Sequence, residues 1–260
     1  MGADWLLPVY GLVVGILIGL TGMGGGVLMT PLLVLGLGMP ATAAIGTDLA
    51  YSAITKLAGT WQHCRQGTVD MRVVRAMAIG SVPATLVAVA TLFLLHSIDA
   101  TAVNAVLERF IGALLLVAAA LMLHKLWRST RGATVATTEH IVTFPTGKLI
   151  AIGAFGGFLV GLTSIGSGSL IIALLVITVS LTPEKLVGTD VAHAFLLVGA
   201  AALAHLFVLH DVDVKLAAKL LVGSIPGVLI GSRLTVWVPR RPLQAGLAVL
   251  LLTTAVTLLR

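Results

Sequence analysis

Charge is scarce in this chain: of 260 residues only 10% are Asp, Glu, Lys or Arg, while 58% are hydrophobic. A soluble globular domain carries roughly 25% charged residues, so this composition cannot cover a water-facing surface. The mean hydropathy of +1.10 places the chain in a bilayer. Cysteine is limited to Cys64, which excludes an intrachain disulfide framework and a cysteine-rich metal site. Aromatics make up 5%, and no basic cluster is interleaved with them. The net charge of +6 therefore reads as basic cytoplasmic loops rather than as a nucleic-acid groove. H-E-x-x-H and G-x-x-x-x-G-K-[ST] are both missing, so neither a zinc-protease site nor a built-in ATP-driven pump is expected, and no cofactor or metal is implied. The opening "MGADWLLPVYG" has no basic n-region and fails the myristoylation pattern at Leu6, so it reads as structural.

What is present is a series of long apolar blocks, at about 5–38, 45–62, 76–95, 106–124, 149–182, 187–208, 216–236 and 243–259. A bilayer core of about 30 Å takes roughly 20 apolar residues per helix. These unbroken runs are helical spans, not the roughly ten-residue alternating strands of a membrane barrel.

The chain also repeats itself. "GLTGMGGG" at 19–26 aligns with "GLTSIGSG" at 161–168, and "GTD" at 46–48 with "GTD" at 188–190, both at an offset of 142. "VDMR" at 69–72 aligns with "VDVK" at 212–215, and "GSVP" at 80–83 with "GSIP" at 223–226, at an offset of 143. Four matches in one order define two related halves, residues 1–127 and 148–260. The Thr- and Arg-rich stretch 128–147 between them reads as a cytoplasmic linker.

Loop charge sets the relative orientation of the halves. In the first half the loop with Arg65, Arg72 and Arg75 is basic, whereas the next carries Asp99 and Glu108 against Arg109. In the second half the pattern swaps: Asp211 and Asp213 oppose Lys215 and Lys219 first, and Arg233, Arg240 and Arg241 follow. The linker, with Lys125, Arg128, Arg131 and Lys148 against Glu139, is basic too. Putting every basic loop in the cytoplasm makes the halves inverted repeats, as in many secondary transporters, with both termini extracytoplasmic. Each glycine-rich block must then enter and leave on one side. A continuous helix over 149–182 would measure about 50 Å, too long for a core of about 30 Å. The expected fold is an all-α polytopic membrane protein in which each repeat is a glycine-broken hairpin, of two helices of about 14 residues, plus three transmembrane helices.

A helix that restarts inside a membrane exposes unsatisfied N–H groups and a partial positive charge, and glycines let a ligand come close. These ingredients make an anion site without a basic side chain. Candidate ligands are Thr21, Gly22, Gly24, Gly25 and Gly26 in the first half, and Thr163, Ser164, Gly166, Ser167, Gly168 and Ser169 in the second. The competing reading is close helix packing through small residues. In the GTD tripeptides, Thr47 and Thr189 are further ligand candidates, while Thr47, Asp48, Thr189 and Asp190 are also candidate helix N-caps. Carboxylates in an uncharged block mark function, so Asp48 and Asp190, with Lys56 and His193, are candidates for a proton or charge relay. Lys56 can equally neutralise Asp48, attract an anion or snorkel. His193 and His205 read first as hydrogen-bonded packing residues, Arg233 as an interface anchor, and Pro83 and Pro226 as helix kinks.

The G-x-x-G-x-G-G-G break, the downstream G-T-D, the G-S-x-P of a later helix and the duplicated layout resemble the TauE/SafE membrane family over essentially the whole chain. The resemblance implies a transporter of small sulfur-containing anions such as sulfite, sulfoacetate or related organosulfonates, acting as an exporter in the cytoplasmic membrane. A homodimer is a further possible assembly. One departure is that Gly24-Gly25-Gly26 becomes Gly166-Ser167-Gly168 in the second half. An anion channel is the nearest alternative. An intramembrane serine hydrolase, using Ser169 or Ser167 with His193 or His205, fits poorly because the first half has no serine where these stand.

Overall fold

The computed structural model describes residues 6–21, 25–129, 145–166, 168–234 and 240–260. Among them the protein is all-helical. The first half contains α1 (Leu6–Thr21), α2 (Gly26–Pro31, continued by a π-helical turn, Leu32–Gly36), α3 (Ala41–Arg65), α4 (Met71–Ile98) and α5 (Ala100–Ser129). The second half contains α6 (Thr146–Thr163), α7 (Ser169–Thr178), α8 (Pro183–Ala204, continued by a π-helical turn, His205–Leu209), α9 (Val214–Leu234) and α10 (Arg240–Leu259). The order matches the repeat, with α1–α5 answering α6–α10. The linker expected at 128–147 lies outside the described residues over 130–144.

Among the described residues, six helical segments are long and apolar enough to cross a bilayer: Met71–Ile98, Ala100–His124, Thr146–Thr163, Glu184–Leu209, Val214–Leu234 and Pro242–Leu259. The outer faces are apolar as well. Ile79, Val87, Leu94, Phe207 and Val222 are exposed, which suits a lipid surround and no aqueous one. The 25-residue α3 is as long as a span but too polar to count as one. It carries Thr47, Asp48, Ser52, Thr55, Lys56 and Thr60, and buries Thr47, Asp48 and Ser52 at the centre of the protein.

In both glycine-rich blocks the described helices are of unequal length. α1 has 16 residues against 6 in α2 and 5 in its π turn; α6 has 18 against 10 in α7. The expected two helices of about 14 residues are thus corrected to a long arm and a short one. Helices α1 and α6 run on to Thr21 and Thr163, because the upstream glycines pack inside them against neighbouring backbones. The second block folds back: Gly156 of α6 lies against Ile171 of α7, residues that a straight helix would hold about 22 Å apart.

The two halves interlock instead of standing side by side. α1 runs parallel to α9, with Gly11, Gly15 and Gly19 set against the backbone of Leu220, Ser224 and Val228. Its counterpart α6 runs parallel to α4, with Gly153 and Gly157 against the backbone of Met77 and Ser81 and Gly161 against Thr85. Four-residue spacing of glycine on one face allows these backbones to touch. Small-residue packing is therefore real here, but it runs along the helices upstream of the breaks. The equivalent helices α5 and α10 pair with each other, as do α3 and α8. α3 and α8 are antiparallel, since Gly46 meets His205 and Asp211 at one end while Gly188 meets Thr68 at the other.

Helix starts follow capping chemistry. Asp70 caps α4 by accepting from the N–H groups of Arg72 and Val73, and Asp99 caps α5 by accepting from Thr101 and Ala102. Thr182 caps α8 ahead of Pro183. The GTD tripeptides are therefore not caps. Helix α3 begins at Ala41 behind Pro40, and α8 at Pro183, so both tripeptides lie a turn or more inside their helices.

Candidate functional site

The breaks of the two halves meet. A Cβ on Gly26 would collide with the backbone carbonyl of Ser164, and one on Gly25 would reach Ser52 Oγ at 2.9 Å and Asp48 Oδ1 at 3.6 Å. Only glycine lets the start of α2 approach the end of α6 and the face of α3 this closely. At the meeting point sits Asp48, fully buried. Its Oδ2 accepts hydrogen bonds from Ser164 Oγ (2.6 Å) and Thr30 Oγ1 (2.7 Å), and its Oδ1 accepts one from Ser52 Oγ (3.2 Å). One carboxylate thus ties α2, α3 and the second break together. Hydrogen bonds to an ionised acceptor contribute about 1.5–3 kcal/mol each.

Ser164 is held in the left-handed region, with φ of 59°, as the residue closing α6. A non-glycine residue there is strained and points to function. The following turn uses glycine for the same purpose, with φ of 113° at Gly166 and 153° at Gly168, before α7 starts at Ser169. Thr163 spends its hydroxyl locally, donating to the carbonyl of Leu159 and accepting from the N–H of Ile165. Gly22, Gly24 and Ser167 lie outside the described residues, as do the side chains of Thr21 and Ser169.

The counterpart of Asp48 is Asp190, buried on α8. It has no matching set of hydroxyls, because Thr30 and Ser52 correspond to Ile172 and Ala194 at the repeat offset. Its Oδ1 has no hydrogen-bond partner among the described residues. Its charge is met instead by Lys56, half-buried on α3, which interacts electrostatically with Asp190 and more weakly with Asp48. Two aspartates, one lysine and the hydroxyls around them therefore form a buried polar centre shared by both halves.

The remaining candidates surround this centre. His193 is buried, and its Nε2 pairs with Ser81 Oγ at 2.9 Å. Its repeat equivalent is Tyr51, beside Ser224, the equivalent of Ser81, with the two hydroxyls short of hydrogen-bonding geometry. The G-S-x-P motif now has a physical reading. Gly80 and Gly223 admit the backbones of α6 and α1, while Ser81 and Ser224 face α8 and α3. His205 is buried against Asp211 at 3.1 Å, with its Nε2 3.4 Å from the carbonyl oxygen of Gly161. Arg233 is exposed in the last turn of α9.

Thr47 and Thr189 both lie fully buried away from the Asp48 hydroxyls. Thr189 Oγ1 accepts the N–H of Asp70 (2.9 Å), and Thr47 Oγ1 accepts the N–H of Asp213 (3.0 Å). Each GTD threonine therefore grips the V-D motif of the other half, joining two of the repeated signatures. Sequence reasoning missed Thr30, Ser52, Asp70 and Asp213. The last two were signalled by the V-D repeat; the first two have no repeat counterpart to mark them.

Apolar helices around a buried polar centre, with a helix break from each half at its core, define an integral membrane protein built as a solute transporter. The model of the family described as "Sulfite exporter TauE/SafE" matches residues 7–258. The chain is 40% identical over 249 residues to the "Probable membrane transporter protein YjnA" of Bacillus subtilis (strain 168), covering 96% of this chain and 97% of that protein. The "Probable membrane transporter protein YdhB" of the same organism is 29% identical over 236 residues, covering 90% of this chain and 91% of that protein. No solved structure matches. The chain belongs to the sulfite exporter TauE/SafE family of membrane transporters, and this family and the relatives are named as transporters, not enzymes.

Proposed function

We propose that the protein is a secondary transporter that moves small sulfur-containing anions, namely sulfite, sulfoacetate or related organosulfonates, out across the cytoplasmic membrane. The observation that carries this reading is the meeting of the two helix breaks, Gly25–Gly26 and Ser164, at a buried polar centre. Hydroxyls and freed backbone N–H groups are donors suited to sulfonate and sulfite oxygens. Lys56 adds a positive charge within reach of the centre. The family's description supports the sulfur-anion class.

The same geometry supports alternating access. The antiparallel packing of α3 on α8, and the exchange of partners between α1–α9 and α6–α4, support inverted repeats that rock against each other about the centre. The swapped loop charges support basic loops in the cytoplasm and both termini outside. The test is uptake into liposomes of labelled sulfite and sulfoacetate by the purified protein. Saturable flux of at least one is expected; no flux of any sulfur oxyanion or sulfonate overturns the substrate class.

A further inference from the structure

The donors that an anion needs at the meeting of the breaks are already taken. Asp48 Oδ2 holds the hydroxyls of Ser164 and Thr30 at 2.6 and 2.7 Å, the short range of hydrogen bonds to an ionised oxygen. We propose that Asp48 is an internal stand-in for the transported anion: its carboxylate occupies the hydroxyls of both breaks, and a substrate anion takes them over only as Asp48 accepts a proton. The idea rests on the transporter reading above and adds the coupling chemistry to it.

Three observations carry it. Among the described residues the cage is seen around Asp48 alone, since Ile172 and Ala194 stand at the repeat positions of Thr30 and Ser52 and Asp190 Oδ1 has no hydrogen-bond partner. The fold therefore does not demand it. Ser164 adopts a left-handed backbone to reach the carboxylate, at a position where the first repeat has Gly22, so the contact is held against strain. The charge count closes the argument. The groups facing Asp48 are Thr30 from α2, Ser164 from the second break, Ser52, Tyr51 and Lys56 on its own helix, Ser224 from α9, and Asp190 beyond Lys56 on α8, which also bears His193 beside Ser81 of α4. With all three titratable groups ionised, two carboxylates and one ammonium, the centre would carry one negative charge in excess. A second uncompensated anion in a water-poor interior is costly at a few ångströms.

A proton from the open aqueous side adds to Asp48 Oδ2, and the neutral carboxyl releases the Ser164 and Thr30 hydroxyls. Those hydroxyls then donate to one oxygen of the incoming monoanion. One proton and one negative charge enter together and leave together, so the charge of the centre is unchanged and the cycle is electroneutral for a monoanion. Net movement follows the combined proton and anion gradients, and it runs outward when the anion has accumulated inside.

The test uses the purified full chain with methanesulfonate, which stays a monoanion across the working pH range, and hydrogen sulfite as probes. Binding is measured alongside proton uptake from weakly buffered solution, with the carboxyl stretch followed by infrared difference spectroscopy. The wild type is expected to take up about one proton per anion bound, to gain a protonated-carboxyl band, and to bind about tenfold more tightly per unit fall in pH while Asp48 is ionised. Asp48→Asn is expected to bind with no proton uptake, no band and a flat pH profile. Anion binding by the wild type without proton uptake overturns the stand-in role and leaves the transporter reading intact, and so does a pH dependence that survives Asp48→Asn. The wild-type measurements decide the matter even where the variant does not fold. If the wild type binds neither probe, the sulfur-anion reading falls and the stand-in role falls with it.

Discussion

Replacing Thr47 and Thr189 by valine removes, at nearly constant volume, two hydroxyls that join the halves of the protein. In the structure Thr189 Oγ1 accepts from the N–H of Asp70 and Thr47 Oγ1 from the N–H of Asp213, at 2.9 and 3.0 Å. Both threonines are fully buried, and valine offers no acceptor in their place. Losing one such bond costs about 0.5–1.5 kcal/mol, and more where the orphaned group stays away from water. The N–H of Asp70, on a half-buried residue, is expected to lie at the upper end, and that of the more exposed Asp213 at the lower. For a chain of this size about 1 kcal/mol corresponds to a shift in Tm of roughly 2–4 °C. The ties sit at opposite ends of the α3–α8 pair, so their effects should add. Thermal unfolding in detergent is the assay, with Thr47→Ser and Thr189→Ser keeping the acceptor and most of the stability. Unchanged Tm values in both valine variants, together with lost anion binding, would refute the tie and return these hydroxyls to the substrate.

Other perturbations read other parts of the account. Gly223→Ala puts a methyl group into the backbone carbonyl of Pro8 and should destabilise by about 1–3 kcal/mol, whereas Gly246→Ala, with open space around it, should leave Tm unchanged or raise it. Lys56→Gln should abolish anion flux in liposomes and lower folded yield by leaving the Asp190 carboxylate without its positive neighbour. Adding Asp190→Asn should restore yield but not flux; equal yields in all three proteins would show that the two charges do not interact. Asp211→Ala leaves the buried imidazole of His205 without its carboxylate and should lower Tm by several degrees, and a neutral result would make that pair dispensable.

The sequence carried the all-helical class and the apolar spans, because these depend on local hydropathy. It also pointed to Asp48, Asp190 and Lys56, since ions in an apolar block stand out. What stayed hidden depends on contacts between distant segments. Thr189 meets Asp70 across 119 positions and Thr47 meets Asp213 across 166, and no local pattern declares such pairs. The GTD threonines therefore looked like caps or ligands, while α3 starts upstream at Ala41 behind Pro40 and α8 at Pro183 behind its cap Thr182. Thr30 and Ser52 carry no repeat signal, since Ile172 and Ala194 stand at their equivalent positions. The unequal arms escaped because helix length was divided by symmetry, whereas packing of α1 on α9 and α6 on α4 extends the first arm of each.

Counterflow tests the central claim most directly. Liposomes holding the purified protein are loaded with unlabelled sulfite and diluted into a trace of labelled sulfite. A carrier whose two breaks alternately present one site should concentrate label inside transiently, and Gly26→Leu, which drives a side chain into Ser164 at the meeting point, should abolish the overshoot. Label that only equilibrates, with no overshoot, would contradict alternating access and indicate a channel; overshoot unchanged in Gly26→Leu would place the site elsewhere.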